Sequence, residues 1–258
     1  MKIVIIASSP RVGSSFISNL LTQAEAGHVA EHFNLSVHVP RVAKENGLKN
    51  LQQHFDFITQ SYSNHDKSIF TVKCHFDQFF NYGNKVDIFS QFEKAEFIQI
   101  KRKSILDQAI SYFLAKATNA WSTKNIPDLK SHNEKILRAL RNTPSKKLYE
   151  EITRMQFRLQ QNEVYWDFYL KNQEPSIFYY EDFLTEEGAS KAEKVFSEIY
   201  QKDITIKNQL SSLKVQRSNE TTELIKQKIA PYMKNPPHLS LLDSCIEFNN
   251  SFYGYSKV

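Results

Sequence analysis

The stretch Lys2-Ile3-Val4-Ile5-Ile6-Ala7-Ser8-Ser9-Pro10-Arg11-Val12-Gly13-Ser14-Ser15 decides the fold. Residues 2–7 form a short apolar run rich in β-branched side chains, which reads as a strand buried on both faces. Ser8–Gly13 reads as a turn. Ser14–Ala24 has helical spacing, with Phe16, Ile17, Leu20, Leu21 and Ala24 on one face. A strand, a glycine turn and a helix opening on Ser-Ser make a cradle for an anion. The first N–H groups of a helix have no intrahelical acceptor, and the helix dipole adds partial positive charge at that end. Gly13 allows close backbone approach, Ser14 and Ser15 add hydroxyl donors, and Arg11 adds a planar fork of charged donors. The competing reading is a first helix that is merely capped, with Arg11 on the surface. The nucleoside-triphosphatase loop, GxxxxGK[ST], is not present. Ser14 stands where its Lys belongs, and Ser8 where its first Gly belongs.

Outward from this stretch, a short helix is expected over 27–33, a strand over 34–39 and mostly helix over 41–62. Ile69–Lys73 and Phe97–Lys101 read as strands. Ser104–Ala117 reads as a helix, with Ser104 and Asp107 resembling a capping box. A loop is expected over 121–133, helices over 133–172 with a break near Pro144, a strand over 177–180 and a helix over 181–200. Strands alternating with helices imply an α/β fold with a parallel sheet covered on both faces. One domain over 1–258 is the simplest organisation, with a helical insertion at about 120–172 that can serve a homodimer or an acceptor lid.

The chain has 258 residues, enough for a sizeable core. Its formal net charge is +5 and its pI about 9.0, which points to an anionic partner. The basic residues are scattered, without an arm or tail, so a small polyanion fits better than DNA. Cys74 and Cys245 form no CxxC pair and read as free thiols of a reducing compartment. No secretory leader or membrane span is readable, so a cytoplasmic location is expected and the sequons at Asn34, Asn219 and Asn249 are read as chance matches.

At Arg11-Val12-Gly13-Ser14-Ser15 the chain resembles the sulfotransferase superfamily, whose loop for the donor's 5′-phosphosulfate is usually written [KR]-S-G-[ST]-[ST]; Val12 departs from the usual Ser. Ile98-Gln99-Ile100-Lys101-Arg102-Lys103, running into Ser104–Ser111, is similar to that family's 3′-phosphate site, a strand ending in Arg followed eight positions later by Ser. Here Lys103 stands eight positions before Ser111, with Arg102 beside it, so either can be the phosphate ligand. Ala26–Phe33 is similar to the segment carrying a catalytic Glu in the branch that includes bacterial trehalose sulfotransferases. Gln108–Ser111 followed by Trp121, Trp166 ahead of a strand, and Tyr180–Phe183 after it look like that branch too. Val215-Gln216-Arg217 looks like its late segment that folds back over the donor. The resemblance runs from about residue 3 to 230, with no usable match over 121–160.

The resemblance implies a P-loop-like central parallel sheet and metal-free transfer of a sulfuryl group from 3′-phosphoadenylyl sulfate (PAPS) to a hydroxyl of a small acceptor, such as a carbohydrate, leaving 3′-phosphoadenosine 5′-phosphate (PAP). Arg11 would face the sulfuryl and leaving oxygens. Gly13, Ser14 and Ser15 would hold the 5′-phosphate, and Arg102 or Lys103 with Ser111 and Arg217 the 3′-phosphate. Glu31 would be the general base. Lys73 and His75, at a strand end, can reach the same cleft; a structural role for His75 competes. Neither nucleic acid nor membrane is expected as a partner.

Two other readings compete. One is a non-catalytic nucleotide- or nucleic-acid-binding module. In the other, His28-Val29-Ala30-Glu31-His32 matches the H-x-x-E-H zinc motif, which places two His on one face of a helix and needs a third ligand such as Glu93 or Glu96. Trp121 and Trp166 read as core residues, and Tyr180-Glu181-Asp182 as an acidic helix start.

Overall fold

A computed structural model describes residues 2–24, 26–61, 69–121, 128–206 and 219–233. Among the described residues four strands form one sheet: β1 (Lys2–Ser8), β2 (Ile69–His75), β3 (Glu96–Lys101) and β4 (Ser176–Tyr179). Their order is β2-β1-β3-β4 and every pairing is parallel. Helices α1 (Ser14–Gln23), α2 (His38–Asn46), α3 (Leu51–Ser61), α4 (Phe76–Gly83) and α5 (Ile88–Gln91) fall between the first three strands. The helices α6 (Ile105–Thr118), α7 (Leu129–Asn142) and α8 (Ser145–Leu170) separate β3 from β4. A 3₁₀ helix (Tyr180–Leu184), α9 (Glu186–Tyr200) and α10 (Asn219–Met233) follow. The architecture is α/β, a parallel sheet flanked by helices, as the sequence implies.

The alternation of β1 explains the two-sided core. Side chains along a strand point to opposite faces in turn. Ile3, Ile5 and Ala7 enter one apolar cluster with Phe70, Val72, Phe79, Phe97 and Trp166. Val4 and Ile6 enter another with Ile17, Leu20, Leu21, Ile98, Phe178 and Phe196. A strand buried on both faces needs apolar residues at every position, which is why the opening run reads as it does.

The chain divides into two compact units. The larger comprises Met1–Tyr112 and Arg158–Val215, and holds the sheet. The smaller comprises Phe113–Phe157 and Gln216–Val258. In the smaller unit Ile136, Leu140, Leu148, Ile152, Ile225 and Ile229 are buried, Tyr149 stacks on Tyr232, and Lys228 Nζ donates to Leu140 O at 2.7 Å.

Several local expectations are corrected. Residues 27–33 are not a helix; within them Ala30 makes one parallel bridge to Val72 at the edge of β2. Residues 34–39 are not a strand. Asn34 Oδ1 accepts from the N–H groups of Ser36 and Val37, making a side-chain turn that leads into α2. The loop expected over 121–133 gives way to α7 at Leu129, where Asp128 caps the helix through Lys130 N and Ser131 N. Ser104 does cap α6, accepting from Asp107 N at 3.2 Å. Trp166 is core, its Nε1 donating to Ser8 O at 3.1 Å, whereas Trp121 is exposed. Among the described residues no helix is long and apolar enough to cross a membrane.

Candidate functional site

In a sheet ordered β2-β1-β3-β4, the chain leaves the carboxyl end of β1 toward β2 on one side, and β3 lies on the other. That end is a topological switch point, where neighbouring loops diverge and open a crevice. The turn after β1 and the turn after β3 flank it.

The first turn is Ser9–Gly13. Arg11 and Gly13 have positive φ, 65° and 93°. At Gly13 the requirement is twofold, because a Cβ there would lie 2.1 Å from Cδ2 of Tyr180, whose ring packs directly on this backbone. No side chain caps α1, while Gly13 O accepts from Phe16 N at 2.9 Å. Ser14 is buried; Ser15 is exposed. Gln108, fully buried on α6, donates from Nε2 to Ser9 Oγ at 2.8 Å and to Pro10 O at 2.7 Å, which ties the turn to the second motif.

The second motif meets the first. Arg11 Nε donates to Ser111 Oγ at 3.3 Å, and Arg102 Nη1 donates to Arg11 O at 3.2 Å. Arg102 lies over the Tyr180 ring, 4.9 Å from its centroid, and pairs with Glu181 Oε1 at 3.3 Å. Lys103 points elsewhere. Its exposed Nζ sits 2.6 Å from Asp182 Oδ1, and that hydrogen bond raises its pKa. Arg102 and Lys103, neighbours in sequence, therefore face different surroundings: one is half-buried against the cradle, the other is a surface ion pair. Arg217 lies outside the described residues, as do Val215 and Gln216.

Glu31 and Ser15 share a partner, Lys73. Lys73 N donates to Ala30 O at 3.0 Å, so the loop docks on β2 and places Glu31 beside the Lys73 side chain. Lys73 Nζ is 2.9 Å from Glu31 Oε1 and 3.4 Å from Ser15 Oγ. Glu31 Oε2 accepts from Gln78 Nε2 at 2.9 Å and from Asn34 Nδ2 at 3.1 Å. Burial alone would raise the Glu31 pKa. The Lys73 ammonium, His75 and the hydrogen bonds from Lys73 and Gln78 outweigh it and hold the carboxyl well below the usual carboxylate range. Burial lowers the pKa of His75 despite Glu31 nearby.

Behind this loop four histidines pack together. His32 lies 4.7 Å from His38 and 5.6 Å from His28, centroid to centroid, and His38 lies 6.3 Å from His54. His32 Nε2 bonds to His28 O at 2.9 Å, and His54 Nδ1 to Tyr82 Oη at 2.9 Å. Burial pushes His32 down to about 3, and His38 and His54 to about 4, so all three are neutral near pH 7. The helix that the H-x-x-E-H reading needs is absent, and Glu31 is committed to Lys73, Gln78 and Asn34. Among the described residues no three His, Cys, Asp or Glu side chains are arranged to hold a metal ion.

The sequence reading gives no site role to Tyr180, Gln108, Gln78 or Asn34, although Tyr180 and Gln108 lie in segments that carry the resemblance. Tyr180-Glu181-Asp182, read as a helix start, also supplies the ring under Arg102 and the carboxylates facing Arg102 and Lys103. The signal that was available was Gln108, a polar side chain on the apolar stripe of α6. No family model matches the chain, and no curated protein matches it either.

Proposed function

We propose that this protein is a cytoplasmic sulfotransferase that moves the sulfuryl group of PAPS to a hydroxyl of a small acceptor, a carbohydrate being the first candidate. The observation that carries the reading is the 3.3 Å approach of Arg11 to Ser111, which brings the two motifs together across the β1–β3 switch point. One adenosine nucleotide with a phosphate at each end fits such a pair of basic turns.

The chemistry follows from the side chains. In-line transfer spreads negative charge over the equatorial oxygens of the moving group, and fixed donors aimed there lower the barrier. Arg11, the N–H groups opening α1, Ser15 and Lys73 supply such donors. Arg102 is the better 3′-phosphate ligand, because it is half-buried, held by Tyr180 and Arg11 O and paired with Glu181 only through Nε at 3.3 Å, whereas Lys103 is exposed and closely paired with Asp182. Ser111 completes that end, and Arg217 is assigned to it from the resemblance alone. Glu31 takes the acceptor's proton, and His75 lies close enough to tune it electrostatically.

The test is transfer of radiolabelled sulfate from PAPS to a carbohydrate panel and to cell extracts. The wild-type protein labels an acceptor and Arg11→Ala does not. A fully active Arg11→Ala, or PAPS that goes unused with every acceptor while RNA binds tightly, would favour a non-catalytic nucleic-acid module instead.

A further inference from the structure

Lys73 faces two groups at once. Its side chain is 8% exposed, and Nζ lies 2.9 Å from Glu31 and 3.4 Å from Ser15, the exposed hydroxyl of the cradle. Glu31 does not depend on that ammonium for its position. Gln78 and Asn34 hold Oε2 through neutral amides, and Gln78 is itself fixed because its Oε1 accepts from His75 N at 3.2 Å. Orientation and charge neutralisation of Glu31 thus come from different residues.

This division has a chemical consequence. A carboxylate paired with an ammonium takes up a proton poorly, and a general base works best when its proton affinity approaches the operating pH. The Lys73–Glu31 pair is therefore ill suited to deprotonate an acceptor. A phosphosulfate at Ser15 would offer the same ammonium more negative charge than one carboxylate does. A lysine on a four-carbon stem with three rotatable donors can answer by a small rotation.

We infer that Lys73 is an exchangeable counter-ion that pairs with Glu31 until the donor's anionic end lies at Ser15, then turns to that anion and frees Glu31 to act as base. The inference rests on the sulfuryl-transfer reading and adds an order to it, with acceptor activation waiting on the donor. In the step itself the acceptor O–H proton passes to Glu31. The acceptor oxygen forms a bond to sulfur as the bond between sulfur and the 5′-phosphate oxygen breaks. The electron pair leaves on PAP, whose new charge Lys73 faces. No oxidant or metal is needed for the balance.

The test follows the Glu31 carboxyl by carbon NMR in ¹³C-glutamate-labelled full-length protein, with Glu31→Gln giving the assignment and PAP as the probe. Without nucleotide the wild-type midpoint lies below the ordinary carboxylate range. Saturating PAP raises it by about one pH unit or more. In Lys73→Met the midpoint is already high without nucleotide, and PAP moves it less than half as far. PAP that binds without moving the wild-type midpoint overturns the inference but leaves the donor site standing, and so does an equal movement in both proteins, which would mean that the anion's field acts alone. A crystal structure of the wild-type complex with PAP reads the same step without a variant: the inference requires Nζ–Glu31 to open beyond about 4 Å, and a retained ion pair overturns it. Failure to bind PAP at all overturns the sulfotransferase reading and this inference with it.

Discussion

The cradle between β1 and β3 and the loop that carries Glu31 are built in opposite ways. In the cradle, backbone makes the shape and long cations fill it: Gly13 packs under Tyr180, Arg102 reaches Arg11 O, and Arg11 reaches Ser111. Arginine keeps its charge at every accessible pH, so the cations of this half are constant. The Glu31 loop carries one carboxylate neutralised by one lysine, over buried neutral histidines. Its charge balance answers to whatever competes for Lys73. On the proposed function the difference assigns binding to one half and activation to the other, with Lys73 as the link between them. Loss of the Glu31 charge should not weaken anion binding, whereas proton transfer should be sensitive to it.

The largest effect that would break this contrast is catalytic. Glu31→Gln is expected to lower kcat by about 10²–10⁴-fold, the usual worth of a general base, while donor affinity rises by about tenfold because the lost carboxylate no longer competes for Lys73. Steady-state kinetics at saturating acceptor check it; a comparable loss in donor affinity would contradict that assignment.

Next comes Gly13→Ala. Positive φ costs an L-residue about 1–2 kcal/mol and forced overpacking about 1–3 kcal/mol. The variant should therefore be less stable by about 2–5 kcal/mol in urea unfolding, and it should bind PAP more weakly because Tyr180 carries Arg102. An unchanged unfolding midpoint would contradict the packing of Tyr180 on the loop.

Arg102 and Lys103 sharpen the contrast within the cradle. Arg102→Ala removes a half-buried charged donor and should weaken PAP by about 10–100-fold. Lys103→Ala removes one side of an exposed ion pair and should change affinity by less than about threefold. Titration calorimetry decides, and a reversed order would move the 3′-phosphate to Lys103.

The smallest effect tests the histidines. Their folded pKa values lie below the unfolded value near 6.5, so between these limits the unfolded chain binds the extra protons. Stability is full above about pH 6.5 and falls as pH drops toward about 4, by about 1.4 kcal/mol per histidine per pH unit. His54→Gln should remove about one proton's worth of that slope in urea titrations between pH 7 and 5. A flat profile would contradict burial in the neutral form.

The legibility of the two halves differs for the same physical reason. The cradle is contiguous in sequence. A buried strand, a glycine that must take positive φ and a helix start are local features, and Arg11, Gly13, Ser14, Ser15, Arg102 and Ser111 could be named from them and from the resemblance. The setting of Glu31 is long-range. One bridge from Ala30 to Val72 docks the loop, and no periodicity signals a single bridge, so the short helix expected over 27–33 gives way to an extended segment at Ala30. Lys73 is legible because it lies near the carboxyl end of a strand. Gln78 and Asn34 are not, since a lone amide on a helix or in a turn carries no pattern. The site's other hidden residue, Tyr180, is the partner that Gly13 requires, but sequence states the requirement without naming who meets it.

The central claim is that the turns after β1 and β3 grip opposite ends of one nucleotide. Calorimetric titration of PAP beside adenosine 5′-phosphate tests it most directly. PAP should bind with one-to-one stoichiometry, about tenfold or more tighter than the nucleotide lacking the 3′-phosphate, with the advantage lost in Arg102→Ala. Equal affinity for the two nucleotides, or an advantage that survives Arg102→Ala, would contradict it.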